Sequence, residues 1–138
     1  MVLISFNESE RIGECLRCVA WADEIIVVDS ESTDDTRAIA AKYTPLVHNI
    51  PWAGFGPQKN TAIDLATSDW ILSIDCDEYV SSQLADEIAS VIKMTDCHGF
   101  MIPFRNRFLG RSMRFGEWSG ERKLRLFRRG HGRFTDVS

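Results

Sequence analysis

No stretch of this 138-residue chain approaches the roughly 20 consecutive apolar residues that a membrane-spanning helix needs. No basic segment leads into an apolar run and a small-residue cleavage site at Met1–Asn7, so no signal peptide is expected. Histidine is scarce, and His48, His98 and His131 lack the spacing of metal ligands. The phosphate-loop pattern G-x-x-x-x-G-K-[ST] is absent, as are repeats and low-complexity segments. Cysteine is limited to Cys15, Cys18, Cys76 and Cys97. Cys15 and Cys18 form a C-x-x-C, but it lies in a helical pattern and no second pair follows, which argues against zinc or redox use. Ordinary buried thiols in a reducing cytoplasm are expected.

What is present is enough apolar material, 44% of residues, for one domain with a real core. Charge is divided unevenly. Residues 1–100 hold 6 Lys/Arg against 17 Asp/Glu, whereas residues 101–138 hold 10 against 3. An acidic body with a basic end suggests that one end meets anions, whether nucleic acid, an anionic membrane surface or a phosphorylated substrate.

Short Val- and Ile-rich runs alternate with helical periodicity. Strands are expected at Val2–Phe6, Glu24–Asp29, Leu46–Ile50, Asp69–Asp75, Gly99–Phe104 and Lys123–Arg128. Helices are expected at Glu8–Ala20, at Asp34–Tyr43 with Ser32 or Thr33 as its cap, at Gln58–Ala66, and from Ser81 or Ser82 to about Lys93. The segment from Pro51 to Pro57 reads as a loop, and Arg105–Gly120 as an ordered loop. Such alternation implies a three-layer α/β fold with a mostly parallel sheet. The pattern ends at Ser138 without a closing helix, so a fold incomplete at its C-terminus is expected.

The most telling stretch is Ile71-Leu72-Ser73-Ile74-Asp75-Cys76-Asp77-Glu78, an apolar strand that stops at two aspartates spaced i, i+2. Carboxylates at the end of a buried strand need compensation. A hard divalent cation supplies it, and one held by only one or two carboxylates commonly takes phosphate oxygens as further ligands. Asn7-Glu8 and Asp29 fall at two other strand ends, where open α/β sheets bind ligands. The bland readings are a turn for Asp75/Asp77, a loop-start cap for Asp29 and a first-turn helix residue for Glu8. Gly54–Asn60 opens a helix whose N–H groups, with Lys59, suit a phosphate, or else is a turn with a solvated lysine. Glu121–Arg129 places charge on a strand and its ends, with guanidinium groups for phosphates or as charge on a solvated edge. Trp52 and Trp118 lie in polar loops, where an indole can stack on a sugar ring or pin its own loop.

Five motifs in order carry a resemblance: Ile4-Ser5-Phe6-Asn7-Glu8, Ile25–Asp34, Trp52–Asn60, Asp75-Cys76-Asp77-Glu78 and Leu124–Gly130. Together they resemble family 2 glycosyltransferases, and within them the bacterial lipopolysaccharide core β-1,4-glucosyltransferase group. The resemblance covers essentially the whole chain. It implies a Rossmann-like α/β/α GT-A nucleotide-sugar-binding fold. Residues 1–104 would be its nucleotide-sugar-binding half and residues 105–138 the start of an acceptor-binding part. It implies that Ser5, Asn7 and Glu8 line the nucleotide pocket, that Asp29 contacts uridine, and that Lys59, where the family often has arginine, meets the diphosphate. Asp75 would face the ribose or the metal, and Asp77 would bind Mg²⁺ or Mn²⁺. Cys76 replaces the commoner alanine of this motif.

The implied reaction is an inverting, metal-dependent transfer of a hexose, glucose, from a UDP-sugar to a lipopolysaccharide-core or similar glycan or glycolipid acceptor. Arg125, Arg128 and Trp118 would serve the acceptor or a phosphate. The general base would lie near or beyond the end of the chain, with Asp136 a weak candidate. Cytoplasmic location, with peripheral attachment to the inner face of the membrane, fits the basic end, and nucleic acid is not expected as a partner. Two other classes remain. One is a phosphohydrolase using Asp75 as nucleophile and Asp77 as acid/base. The other is a non-catalytic nucleotide-binding or membrane-docking module.

Overall fold

The computed structural model describes residues 1–104, 107–108, 111–112 and 122–135. Among the described residues, eight strands and four helices follow one another as β1 (Val2–Ser5), α1 (Ile12–Arg17), β2 (Ile26–Asp29), α2 (Thr36–Ala40), β3 (Val47–Asn49), α3 (Phe55–Leu65), β4 (Trp70–Ile74), α4 (Ser82–Met94), β5 (Gly99–Pro103), β6 (Arg107–Phe108), β7 (Arg111–Ser112) and β8 (Arg122–Arg128). Six of the strands form one sheet in the order β3-β2-β1-β4-β8-β5. Strands β3, β2, β1 and β4 run parallel, as strands joined by helices should, and β1, β2 and β4 are the buried, apolar ones. Strand β8 alone runs antiparallel, inserted between β4 and β5.

Both faces of the sheet are covered, which makes the expected three layers. On one face Leu3, Val27, Leu72, Ile74 and Leu126 pack with Ile12, Leu16, Ala40 and Ile88 from α1, α2 and α4. On the other, Val2, Ile26, Val28, Ile71 and Phe127 pack against Ala62 and Ile63 of α3. No described helix is long and apolar enough to cross a membrane.

Several expectations are corrected in detail. Helix α1 is shorter than Glu8–Ala20, because Glu8 C=O accepts the N–H groups of Arg11 and Ile12 in a turn that precedes it. Helix α2 covers only Thr36–Ala40, and neither Ser32 nor Thr33 caps it. Ser32 is committed to Asp29 and Thr33 to Asn7, and it is the Asp34 carboxylate that accepts the Thr36 N–H. Helix α3 begins at Phe55 rather than Gln58. Gly54 enters it at φ 110°, a conformation glycine adopts at little cost, and Pro57 sits in the first turn, where no intrahelical donor is lost. Ser81 caps α4 as expected, accepting the Leu84 N–H at 3.1 Å. Within the loop expected at Arg105–Gly120, β6 and β7 pair as a short antiparallel hairpin, and the remainder lies outside the described residues. Strand β8 is not a solvated edge but an interior strand. The thiols divide: Cys15 and Cys76 are buried, Cys18 is half-buried and Cys97 is exposed.

Candidate functional site

Parallel pairing in register aligns the C-terminal ends of β1 and β2, with Ser5 opposite Asp29, and Leu3 of β1 pairs with Ile74 of β4. The expected acidic strand ends therefore share one rim.

On the β1–β2 side the rim is tied together from within. Asp29 has 0% of its surface exposed. Its Oδ1 accepts hydrogen bonds from the hydroxyls of Ser5 at 2.7 Å and Ser32 at 2.6 Å. Its Oδ2 accepts the Ser32 N–H at 2.8 Å and lies 3.5 Å from Arg37 Nε. A buried carboxylate tolerates this position because three hydrogen bonds and the Arg37 guanidinium compensate it. Asn7, at φ 49°, donates its N–H to Ser32 Oγ and accepts the Thr33 N–H at its side-chain oxygen. The Glu8 N–H bonds Thr36 Oγ1 at 2.8 Å. Ser5, Asn7, Glu8 and Asp29 thus come together, with Asn7 exposed, Glu8 half-exposed, and Ser5 and Asp29 enclosed beneath.

The second half of the rim is the turn that follows β4. The Glu78 N–H bonds Asp75 C=O at 3.0 Å, and the Glu78 carboxylate reaches back to the Asp75 N–H at 2.9 Å. Lys59 from α3 donates to Asp75 Oδ1 at 2.9 Å. Arg125 from β8 donates through Nη2 to Asp75 Oδ2 at 3.2 Å and to Glu78 Oε1 at 2.8 Å. Burial opposes ionisation of Asp75, yet the Lys59 hydrogen bond and charge, joined by Arg125, hold its carboxyl below the usual carboxylate range. Burial pushes Glu78 up, and the Asp75 N–H and Arg125 offset this only in part. Cys76 is tucked beneath, its thiol 3.5 Å from Ile4 C=O, and burial drives its ionisation well above the thiol range. Asp77 is exposed at the outer corner, and no hydrogen bond or ion pair engages its carboxylate among the described residues.

Arg128 is not brought to this rim. It pairs with Trp70 at the opposite end of β4, where its guanidinium donates to the carbonyls of Thr95 and Cys97 and covers the Trp70 ring at 4.7 Å. Arg125 reaches Asp75 and Glu78 while Arg128, three residues or roughly 10 Å further along the strand, reaches Thr95 and Cys97, so the structure does not bring the two guanidinium groups together. Trp118 and Asp136 lie outside the described residues. Trp52 is 50% exposed and meets Phe55, itself 70% exposed, edge to face at 4.9 Å.

Two residues of the rim have no individual role in the sequence reading. Glu78 could have been found from its place three residues after Asp75, the spacing at which a side chain reaches back to a backbone N–H. Gln58 is wholly buried, donating to Ser30 Oγ and Ile50 C=O and accepting the Ala53 N–H. It fastens the start of α3, which carries Lys59, to the β2 and β3 ends; no local sequence signal marks it.

Comparison with known proteins adds the following. The sequence profile of glycosyl transferase family 2 matches residues 1–136. The chain is 30% identical over 138 residues to the lipopolysaccharide core biosynthesis glycosyltransferase LpsC of Rhizobium meliloti, covering 96% of this chain and 51% of LpsC. It is 49% identical over 87 residues to a glycosyltransferase of Rickettsia conorii, covering 62% of this chain and 31% of that protein. Among solved structures it is similar to S. aureus TarS 1-349 in complex with UDP-GlcNAc, at a TM-score of 0.59 and 28% identity, over 67% of this chain and 30% of that one. Glucosyl-3-phosphoglycerate synthase from Mycobacterium tuberculosis, in complex with Mn²⁺, UDP and glucosyl-3-phosphoglycerate, gives a TM-score of 0.50 at 28% identity, over 55% of this chain and 32% of that one. The chain spans about half the length of LpsC and about a third of the Rickettsia relative.

Proposed function

Because the chain belongs to glycosyl transferase family 2, we propose that residues 1–104 form the nucleotide-sugar-binding half of a metal-dependent, inverting glycosyltransferase and residues 105–138 the start of its acceptor-binding part. The reaction moves a hexose, glucose, from a UDP-sugar to a lipopolysaccharide-core or similar glycan acceptor. The fold is of the GT-A type. LpsC supports the acceptor class by its name, and the UDP-GlcNAc and UDP complexes of the structural relatives support a UDP-linked donor.

The single observation that carries this reading is the turn after β4. Asp75 and Glu78 are held by Lys59 and Arg125, while the Asp77 carboxylate is exposed and unengaged among the described residues. Such a donor set fits a hard dication bound through one carboxylate, with substrate phosphates and water completing its shell. Asp77 is therefore the residue that would hold Mg²⁺ or Mn²⁺, with Asp75 beside it. The chemistry the ion supplies there is Lewis-acid compensation of a leaving diphosphate. Lys59 places an ammonium at the same rim, where it can orient a diphosphate oxygen. The Ser5–Asp29 pair and the Asn7–Glu8 segment frame the nucleoside side. The acceptor hydroxyl gives its proton to a carboxylate acting as general base, for which Asp136 is a candidate. The chain works in the cytoplasm, with its basic end toward the anionic inner face of the membrane. An aspartyl phosphohydrolase needs Asp75 as a free nucleophile, and both its oxygens are committed to cations.

Thermal melts with UDP, with Mn²⁺ and with both test the reading. Tm is expected to rise by several degrees only with both, since free ligand at 100 times Kd adds about 2.7 kcal/mol to the native state. Asp77→Ala should abolish the rise while the unliganded Tm stays within about 2 °C of the parent, as for an exposed substitution. An undiminished rise in Asp77→Ala overturns the metal assignment. Phosphate release from a generic ester without preference for uridine favours the hydrolase. Binding to anionic vesicles that survives Asp77→Ala, with no response to UDP, favours the docking module.

A further inference from the structure

Strand β8 carries an irregularity opposite β5: Phe100 pairs with Leu126 and the next residue, Met101, with Leu124, so Arg125 is left without a partner across that ladder. A bulge of this kind re-aims the side chain of its extra residue. Arg125 is aimed at the turn after β4 and is enclosed there, its side chain only 7% exposed. Its guanidinium lies 5.6 Å from the centroid of the Phe104 ring, and its buried Nε has no acceptor among the described residues. Nη2 serves both carboxylates, Glu78 at 2.8 Å and Asp75 at 3.2 Å. Through Glu78 the tether continues to the Asp75 N–H, and the Glu78 N–H returns to Asp75 C=O. The result is a closed ring of bonds, and Asp77 is the one acid of the turn that stands outside it. Within this ring and the adjoining Lys59, two cations meet the two carboxylates of Asp75 and Glu78, which leaves the charge of Asp77 to attract a cation.

We propose that Arg125 is a positioning residue rather than a ligand contact: acting through Glu78, it holds the Asp75–Glu78 turn in the shape that presents Asp77. This rests on the reading of Asp77 as the metal-holding residue of a UDP-sugar site.

The test is a thermodynamic cycle on the full chain. The affinity for UDP in the presence of Mn²⁺ is measured by calorimetry, well below each variant's Tm, for the parent, Arg125→Met, Glu78→Gln, the double variant and Arg125→Lys. Each of the first two is expected to weaken binding about tenfold or more, the usual effect of removing a residue that orients a metal ligand. The double variant is expected to fall no more than about threefold below the weaker single one, because both changes cut one tether. Arg125→Lys, which keeps the charge but loses the fork, should lie between parent and Arg125→Met. Amide exchange at Asp77 and Glu78, read without nucleotide, should accelerate in Arg125→Met. Losses that multiply in the double variant mean that Arg125 touches the ligand directly, and the proposal is overturned. Parent-like affinity and exchange in Arg125→Met also overturn it while leaving the UDP site standing. A parent that does not bind UDP with Mn²⁺ overturns the functional reading and this inference with it. Should Arg125→Met fail to fold, Arg125→Lys with and without Glu78→Gln runs the same cycle.

Discussion

Gln58 has no water to turn to. It is fully buried, and its amide satisfies Ser30 Oγ, Ile50 C=O and the Ala53 N–H at once. Gln58→Leu keeps most of the volume but leaves these groups unpaired, at about 1–3 kcal/mol for each that stays buried without a partner. Part of that is regained where Ala53 reaches solvent, so a loss of about 2–4 kcal/mol is expected in urea unfolding. The thiols differ as sharply by environment. Burial pushes Cys15 up to about 12, with the nearby Cys18, Glu78, Asp75 and Asp77 adding to the effect. The folded chain then keeps this proton where the unfolded chain releases it, so Cys15 contributes stability that is complete below the ordinary thiol pKa, about 8.5, and is lost as pH rises toward 12. Melting at pH 7 and pH 10 should therefore show a smaller alkaline loss in Cys15→Ala than in the parent. In native alkylation at pH 8, Cys97 should be labelled first, while Cys15 and Cys76 wait for unfolding, as mass spectrometry can show.

At the scale of elements, the instructive one is β8 with the segment that follows it. A strand with the sequence Arg-Lys-Leu-Arg-Leu-Phe-Arg reads as a charged edge, but tertiary packing buries its centre: Leu126 and Phe127 serve opposite faces of the sheet. After the strand, Gly130 turns the chain at φ +87° and Gly132 passes against the Phe127 ring. A Cβ at Gly132 would stand 2.6 Å from Phe127 Cδ2, whereas one at Gly130 would meet nothing within 4 Å. Gly132→Ala should therefore cost about 1–3 kcal/mol through displaced packing, and Gly130→Ala roughly 1–2 kcal/mol through backbone strain alone. The two can be separated by structure: only the first should perturb the Phe127 ring resonances. Asn60 then clamps this segment to α3, with its side chain donating to Phe134 C=O at 2.8 Å and accepting the Phe134 N–H at 2.9 Å. That clamp sets Phe134 near Lys59, whose ammonium lies 4.9 Å from the ring centroid.

For the molecule as a whole, β8 ties β5 to the four parallel strands, since among the described residues β4 and β5 each pair with it and not with each other. Deleting residues 122–138 should uncover Ile71 and Leu72 and abolish cooperative unfolding, which a melt followed by circular dichroism would register as a broad or absent transition. The alternation of apolar runs and helical periodicity was enough to foresee the three layers, the parallel order of the first strands and the rim where Asn7, Asp29 and Asp75 fall. These follow from local propensity and from the rule that parallel strands need crossover helices, so they are written in residues near one another. Helix ends were less legible, because Ser32 and Thr33, good caps by type, are taken by Asp29 and Asn7 across the loop. What only tertiary structure decided is which charge meets which. Lys59, Asp75, Glu78 and Arg125 converge from α3, the β4 end and β8, and Asp75 and Arg125 are 50 residues apart in the chain. Compensation of a buried charge acts through space rather than along the sequence, and it alone separates the committed acids Asp29, Asp75 and Glu78 from the exposed Asp77.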